Sequence, residues 1–198
     1  IYDRKYSAIG MASREDFDWD KILTDTVWFH FTGITPALGD NVAEICLDAV
    51  KACREKGIKV SCDLNFRKNL WTSEKAGKVM GELMQYVNVC IANEEDADKV
   101  FGIKPDHNDV DSGKLNREGY IDVAKKLSER FGCEKVAITL RESISANDNN
   151  WAAMLYDGEK AYFSKKYAVH IVDRVGGGDS FGAGLIYSLL SGYDMQDT

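Results

Sequence analysis

The chain has 198 residues, 44% of them hydrophobic and 11% aromatic, enough to bury one sizeable core in a single domain or a little more. Lys and Arg number 25 against 32 Asp and Glu, a net charge of -7 without any basic run, which argues against a nucleic-acid partner or an anionic membrane surface. No apolar run approaches membrane-spanning length, and the opening does not read as a secretion leader.

The chain opens at Ile1 rather than at a methionine and closes at Asp197-Thr198, which reads as a fragment of a longer protein. The opening, Tyr2 to Ala12, reads as a solvated edge or loop, and Lys21-Ile22-Leu23 as a helical turn at most. Val27 to Phe31 predicts a buried strand, with His30 inside it as a core histidine because no partner stands at metal-ligand spacing. The turn-rich Thr32-Gly33-Ile34-Thr35-Pro36 loop follows. Asp40 or Asn41 then caps a helix whose Val42, Ile45, Cys46, Ala49, Val50 and Cys53 share a face, and Gly57 ends it.

Ile58, Val60 and Cys62 alternate with polar residues as the next strand, which delivers Asp63-Leu64-Asn65-Phe66-Arg67 at its carboxyl end. Parallel sheets bind ligands outside those ends, so Arg67 is a binding candidate, although on position alone a surface arginine is the favoured explanation. Ser73 caps a helix with Ala76, Val79, Met80, Leu83 and Met84 inward, and Val87 to Ala92 is a strand. Asn93, Glu94, Glu95 and Asp96 at its end, taken alone, fit a helix N-terminus, where acids are favourable. Residues 102–118 read as a surface loop, and Tyr120, Val123, Ala124, Leu127 and Phe131 as a helix closed by Gly132. Lys135 to Leu140 is a strand with Arg141-Glu142-Ser143 at its end, and Asp157-Gly158 joins a hairpin of 151–156 and 161–163. The five cysteines, at 46, 53, 62, 90 and 133, lack C-x-x-C spacing and read as reduced core thiols of a cytoplasmic protein.

The informative stretch is Asp173-Arg174-Val175-Gly176-Gly177-Gly178-Asp179-Ser180-Phe181-Gly182. It lies between Val169 to Val172, which reads as a strand, and a helix in which Gly182, Leu185, Ile186, Leu189 and Leu190 share a face. Helix N-termini present unpaired N-H groups to anions, and three glycines remove every Cβ that would block a phosphate. Asp179 falls in the first turn, where its carboxylate can take a proton from a hydroxyl approaching that phosphate. A plain glycine loop with a capping Asp is the bland alternative. Gly178-Asp179-Ser180-Phe181-Gly182 also matches the G-x-S-x-G elbow of acyl hydrolases, but no histidine follows Ser180 and the serine does not directly follow a strand.

This segment resembles the Asp-Thr-x-Gly-Ala-Gly-Asp signature of the ribokinase-like carbohydrate kinases, with Arg174 in place of Thr and Gly177 in place of Ala. Asp63-Leu64-Asn65-Phe66-Arg67 resembles the substrate-side motif of their 2-keto-3-deoxygluconate kinase branch. The resemblance runs over essentially the whole chain. It implies an α/β, ribokinase-like fold with a mainly parallel sheet covered by helices on both faces, one kinase domain over 1–198 that lacks an amino-terminal lid and sugar-site segment and a carboxyl-terminal nucleotide segment. It implies ATP-dependent transfer to a primary hydroxyl of a sugar acid, with Asp179 as base and the amides of Gly176, Gly177 and Gly178 as the anion hole. By the same resemblance Arg67 binds the carboxylate, Tyr2, Arg4 and Ile34 line the sugar site, and Thr139, Arg141, Gly176 and Gly178 face ATP. Asn93 and Asp96, with help from Glu95, take the place of the Asn-x-x-Glu that holds Mg2+, through water because Asp is a methylene shorter. The partners implied are the sugar acid and ATP, without nucleic acid or membrane; a homo-oligomer is left open. A neutral-sugar kinase and a non-catalytic nucleotide-binding module are the alternatives.

Overall fold

The computed structural model describes residue 4 and residues 6–106, 117–173 and 175–198; Tyr2 and Arg174 lie outside the described residues, as does most of the expected 102–118 loop. Two short helices, α1 (Ala8–Met11) and α2 (Trp19–Ile22), come first, capped by the side chains of Ser7 and Asp18, which accept from the amides of Gly10 and Lys21. The edge or loop expected of the opening is therefore corrected over Ala8–Met11 to a single helical turn, made possible by its side-chain cap. Then follow β1 (Trp28–Thr32), α3 (Asp40–Glu55), β2 (Lys59–Asp63), α4 (Ser73–Leu83), β3 (Val89–Asn93), α5 (Glu94–Phe101) and α6 (Arg117–Phe131). After them come β4 (Lys135–Ser143), β5 (Asp148–Tyr156), β6 (Ala161–Phe163), β7 (Tyr167–His170) and α7 (Gly177–Leu190).

Two caps differ from expectation. α3 starts on Asp40 itself, with Gly39 as an N-cap that offers no side chain. In α4 the capping hydroxyl is that of Thr72, which accepts from the Lys75 amide, so Ser73 is the first helical residue.

The seven strands form one sheet in the order β1-β2-β3-β4-β5-β6, and β7 pairs with the other half of β5. β1 to β4 are mutually parallel, as expected of the central sheet. The hairpin region adds antiparallel pairings of β5 with β4, β6 and β7, so the sheet as a whole is mixed.

Strand alternation sends successive side chains to opposite faces. Phe31, Val60, Cys62, Cys90, Ala92, Val136, Ile138 and Met154 face the large core under α3, α4, α5 and α6. Val89, Ile91, Ala137 and Leu155 face the other way, toward Leu185 and Phe181 of α7. The sheet is thus covered on both faces, by four helices on one and by α7 on the other.

α7 makes that contact with a narrow strip. Gly182, Leu185 and Ser188 are buried, whereas Leu190 and Tyr187 are 52% and 64% exposed. The single apolar face expected to include Leu190 is therefore narrower. β7 is also exposed along its length, because it lies at the sheet margin on β5 rather than among the parallel strands. All five cysteines are free and buried, and burial pushes their thiols up, those of Cys46 and Cys133 to about 12. They are inert core side chains.

Candidate active site

The carboxyl ends of the parallel strands carry most of the candidate residues, and register explains why. Thr32 stands opposite Asp63, Asp63 opposite Ile91, and Asn93 opposite Thr139. Beyond β1, the Gly33 amide donates to the Asp63 carbonyl at 2.8 Å, and a Cβ on Gly33 would lie 2.1 Å from the Leu64 carbonyl oxygen. Only glycine allows this approach, which lays the Ile34 loop against the segment leading to Arg67. The Thr32 hydroxyl joins both, accepting from the Ile34 amide at 3.4 Å and from Asn65 Nδ2 at 3.3 Å. Asn65 has a φ of 38°, a left-handed conformation that asparagine tolerates better than most residues. The turn it makes carries the chain to Phe66, whose amide donates to Asp96 Oδ1 at 3.1 Å, and on to an exposed Arg67.

The glycine turn meets this group from the other side of the sheet. Gly176 has a φ of 79° and acts as N-cap of α7, and the first intrahelical bond runs from the Ser180 amide to the Gly176 carbonyl at 2.8 Å. The amides of Gly177, Gly178 and Asp179 precede that bond, so they have no intrahelical acceptor and add to the positive end of the helix dipole. Space around them is open: a Cβ on Gly177 would meet nothing within 4 Å. A Cβ on Gly178 would come within 3.9 Å of Asp63 Oδ2, which puts the first turn of α7 beside the end of β2. Asp179 is exposed there.

Two neighbouring carboxylates act on Asp63 at this place. Burial pushes the Asp63 carboxyl up to about 6, with the charges of Asp96 and Asp179 adding to the rise and that of Arg67 opposing it. Asp96 is raised as well, chiefly by burial, against the bonds it accepts from the Phe66 and Asn93 amides and the charge of Arg67. Asp63 and Thr32 are the residues that the sequence reading passed over as site members. Asp63 opens the quoted Asp-x-Asn-x-Arg segment, so a signal was present; Thr32 gave none, because its role comes from cross-strand register.

Asn93 and Asp96 form a reciprocal capping box at the start of α5. Asn93 Oδ1 accepts from the Asp96 amide at 2.8 Å, and Asp96 Oδ2 accepts from the Asn93 amide at 3.5 Å. Asp96 is 5% exposed, whereas Glu95 is exposed beside it. Among the described residues no three His, Cys, Asp or Glu side chains stand close enough to hold a metal ion. The donor set therefore fits Mg2+ only as an outer neighbour, with water and phosphate oxygens as the direct ligands, and the surplus of negative charge around Asp63 favours a cation there.

Thr139 lies beside Asn93 on β4, in line with the other strand ends. Arg141 is two residues farther along, exposed, with Nε donating to Asn149 Oδ1 at 2.8 Å on the adjacent strand. It belongs to the hairpin rather than to the cluster around Asp63, because β4 continues to Ser143. The Arg4 carbonyl accepts from the Ser7 amide and hydroxyl at the start of α1. Tyr2 lies outside the described residues. His30 corrects an expectation: it is an exposed side chain on the α7 side of the sheet rather than a core histidine, because alternation along β1 sends Phe29 and Phe31 to the core and His30 away from it.

A helix start with three amides that lack intrahelical acceptors and a carboxylate in its first turn thus stands beside the carboxyl end of a parallel strand. Residues 8–198 match the pfkB family of carbohydrate kinases. The chain belongs to that family. A crystal structure of 2-dehydro-3-deoxygluconokinase from Thermotoga maritima is 52% identical with a TM-score of 0.92, covering 99% of this chain and 58% of that one. A 2-dehydro-3-deoxygalactonokinase of Haloferax volcanii is 28% identical over 196 residues, 99% of this chain and 55% of its own length. A structure described as ribokinase II of Escherichia coli, in complex with ATP and Mg2+, shares the fold at 20% identity and a TM-score of 0.75, over 98% of this chain and 55% of that one. This pfkB chain thus spans between a half and three fifths of the length of these relatives.

Proposed function

We propose that the full-length protein is an ATP-dependent sugar-acid kinase that phosphorylates a primary hydroxyl of 2-keto-3-deoxygluconate to give the 6-phosphate. Kinship with a 2-dehydro-3-deoxygluconokinase at 52% identity supports the substrate class. The observation that carries the mechanism is the carboxylate of Asp179 in the first turn of α7, next to three amides without intrahelical acceptors.

In this reading Asp179 accepts the proton of the sugar hydroxyl as its oxygen forms a bond to the γ-phosphorus and the bond to the ADP oxygen breaks. The amides of Gly177, Gly178 and Asp179 hold the charge on the transferring group, with the backbone of Gly176 turning the chain into the helix. Arg67 binds the sugar carboxylate, and Ile34, with Tyr2 and Arg4, lines the sugar site. Thr139 and Arg141 take the nucleotide side. Mg2+ would be held near Asn93, Glu95 and Asp96 through water, where it supplies charge neutralisation of the phosphates. The reactants are a sugar acid and ATP, in the cytoplasm.

The test is Asp179→Asn in the full-length protein, which keeps the shape and removes the proton acceptor. Turnover should fall by about 10²- to 10⁴-fold with nucleotide affinity little changed. Normal turnover, or a larger loss in Ser180→Ala, would move the chemistry away from Asp179.

A further inference from the structure

The Arg141 guanidinium is held by a side chain that has no part in the phosphoryl-transfer reading. Its Nε donates to Asn149 Oδ1 at 2.8 Å, Ser143 Oγ donates to the same oxygen at 3.0 Å, and Arg141 Nη2 lies 3.5 Å from Ser143 Oγ. Register builds this contact: Ser143 and Asn149 are partners on β4 and β5, as are Arg141 and Trp151, whose ring centre lies 6.0 Å from the guanidinium carbon. Arginine Nε can only donate, so the oxygen of the Asn149 amide must face it and the NH2 group points elsewhere. Asn149 is 1% exposed, and its Nδ2 has no hydrogen-bond partner among the described residues.

A buried amide donor without an acceptor is unfavourable. Aspartate has the same shape, would accept the same bonds and has no donor to leave unpaired. It would also neutralise the guanidinium. Asparagine orients Arg141 and leaves its charge whole, since among the described residues no carboxylate forms an ion pair with it. An oriented, uncompensated cation is suited to an anion from outside the chain.

The fold places that cation on the face of the sheet that carries the glycine turn. A Cβ on Gly182 of α7 would lie 3.6 Å from Ile91 Cδ1, and Ile91 is level with Ala137 on β4. From this level Gly177 lies five residues toward the start of α7, about 8 Å, and Arg141 lies four residues along β4, about 13 Å, both toward the carboxyl ends of the parallel strands. Alternation puts Arg141 on the same face as Ala137, which packs in the cluster under α7. Asp63, next to Gly178, is on β2 and Arg141 is on β4, two strands or about 10 Å to the side. A nucleotide with one end at the glycine turn covers such a distance, whereas a lone phosphate does not.

We propose that Asn149 is a positioning residue for the nucleotide: it holds Arg141, with its charge undiminished, against the phosphate chain of ATP whose γ-phosphate sits at the glycine turn. This rests on the reading that Arg141 takes the nucleotide side.

The experiment titrates the full-length protein calorimetrically with ATP and with adenosine, in wild type, Asn149→Asp, Asn149→Ala, Arg141→Gln and the Asn149→Asp, Arg141→Gln double variant. Asn149→Asp should weaken ATP binding by about 10- to 100-fold, the scale of a hydrogen bond to a charged group, with adenosine binding within about twofold of wild type. Its thermal unfolding should come no lower than that of wild type, because the buried donor is gone and the new charge is paired. In turnover the change should appear in KM for ATP and hardly in kcat or in KM for the sugar. Asn149→Ala releases the guanidinium without neutralising it, so it should lose less ATP affinity, and it carries the test if the aspartate variant does not fold. In the Arg141→Gln background Asn149→Asp should cost nothing further. Wild-type ATP affinity in the Asn149 variants, an equal loss for adenosine, or an Asn149 effect that persists without Arg141 would overturn the proposal. Wild-type ATP affinity in Arg141→Gln would instead remove the nucleotide-side reading of Arg141, and the proposal with it.

Discussion

Arg67 illustrates how little a single residue says until its neighbours are known. Its exposure is that of any surface arginine, yet its charge acts on both Asp63 and Asp96, and the turn at Asn65 presents it beyond the strand ends. A guanidinium can grip a carboxylate with two parallel bonds, which a lysine cannot. Arg67→Ala should therefore weaken sugar-acid binding by about 1.5 to 3 kcal/mol, with Arg67→Lys intermediate and neutral sugars hardly affected. Steady-state kcat/KM for both sugar classes on the two variants measures this. Equal losses for both classes would remove the carboxylate assignment.

Asp63 supports a prediction about pH. Its carboxyl is raised from an ordinary value of 3.8 to about 6, first by burial and then by the neighbouring Asp96 charge. The folded state therefore holds this proton more tightly than the unfolded state, so the contribution of Asp63 to stability is full below pH 4 and is lost as pH rises through about 6. Asp63→Asn cannot ionise. The variant should gain up to about 3 kcal/mol relative to wild type at pH 8, and the difference should vanish near pH 4. Urea unfolding at the two pH values tests it, and a difference independent of pH would contradict the assignment.

Among the elements, α7 does the most with the least packing. One strip meets the sheet, and the helix start is shaped by Gly176 in a left-handed conformation, followed by two positions without side chains. Because a Cβ on Gly177 has room, Gly177→Val should leave the fold intact and act on the anion site alone. Thermal unfolding should shift by only a few degrees, in line with about 1 kcal/mol or less, while turnover falls at least tenfold. Wild-type turnover with bound nucleotide would take the glycine turn out of the site. Thr72 shows a related limit on reading sequence: it caps α4 through its hydroxyl, and the adjacent Ser73 hides which of the two does so.

Long periodic segments were legible before the structure: α3, α4 and α6, the parallel strands and the Asp157-Gly158 hairpin follow from spacing and turn chemistry alone. Less legible was anything decided by neighbours distant in sequence. Leu190 has the right spacing for a buried face but finds no partner surface among the described residues, and β7 has a strand's composition but joins the sheet at its margin. His30 sits in an aromatic strand and still points away from the large core, because alternation along β1 gives that face to Phe29 and Phe31. The Asn93 and Asp96 pair proved to be a helix cap, the reading its residues alone favour; the outer-sphere cation contact that the family resemblance implies is compatible with it.

At the scale of the whole molecule, the chain belongs to the pfkB family and its sheet carries the strand-end cluster, while activity and sugar are matters of the full-length protein. No helix among the described residues is long and apolar enough to cross a membrane, and the net charge of -7 leaves Arg67 as a localised cation among acids. An acidic surface repels an anionic sugar, so a preference for one must come from local contacts. The most direct measurement is ATP-dependent phosphorylation by the full-length protein with 2-keto-3-deoxygluconate, fructose and ribose, compared as kcat/KM. The account predicts that the sugar acid is preferred over both neutral sugars by at least tenfold, the equivalent of about 1.4 kcal/mol. Equal or better turnover of fructose or ribose, or none with any of the three, would contradict it.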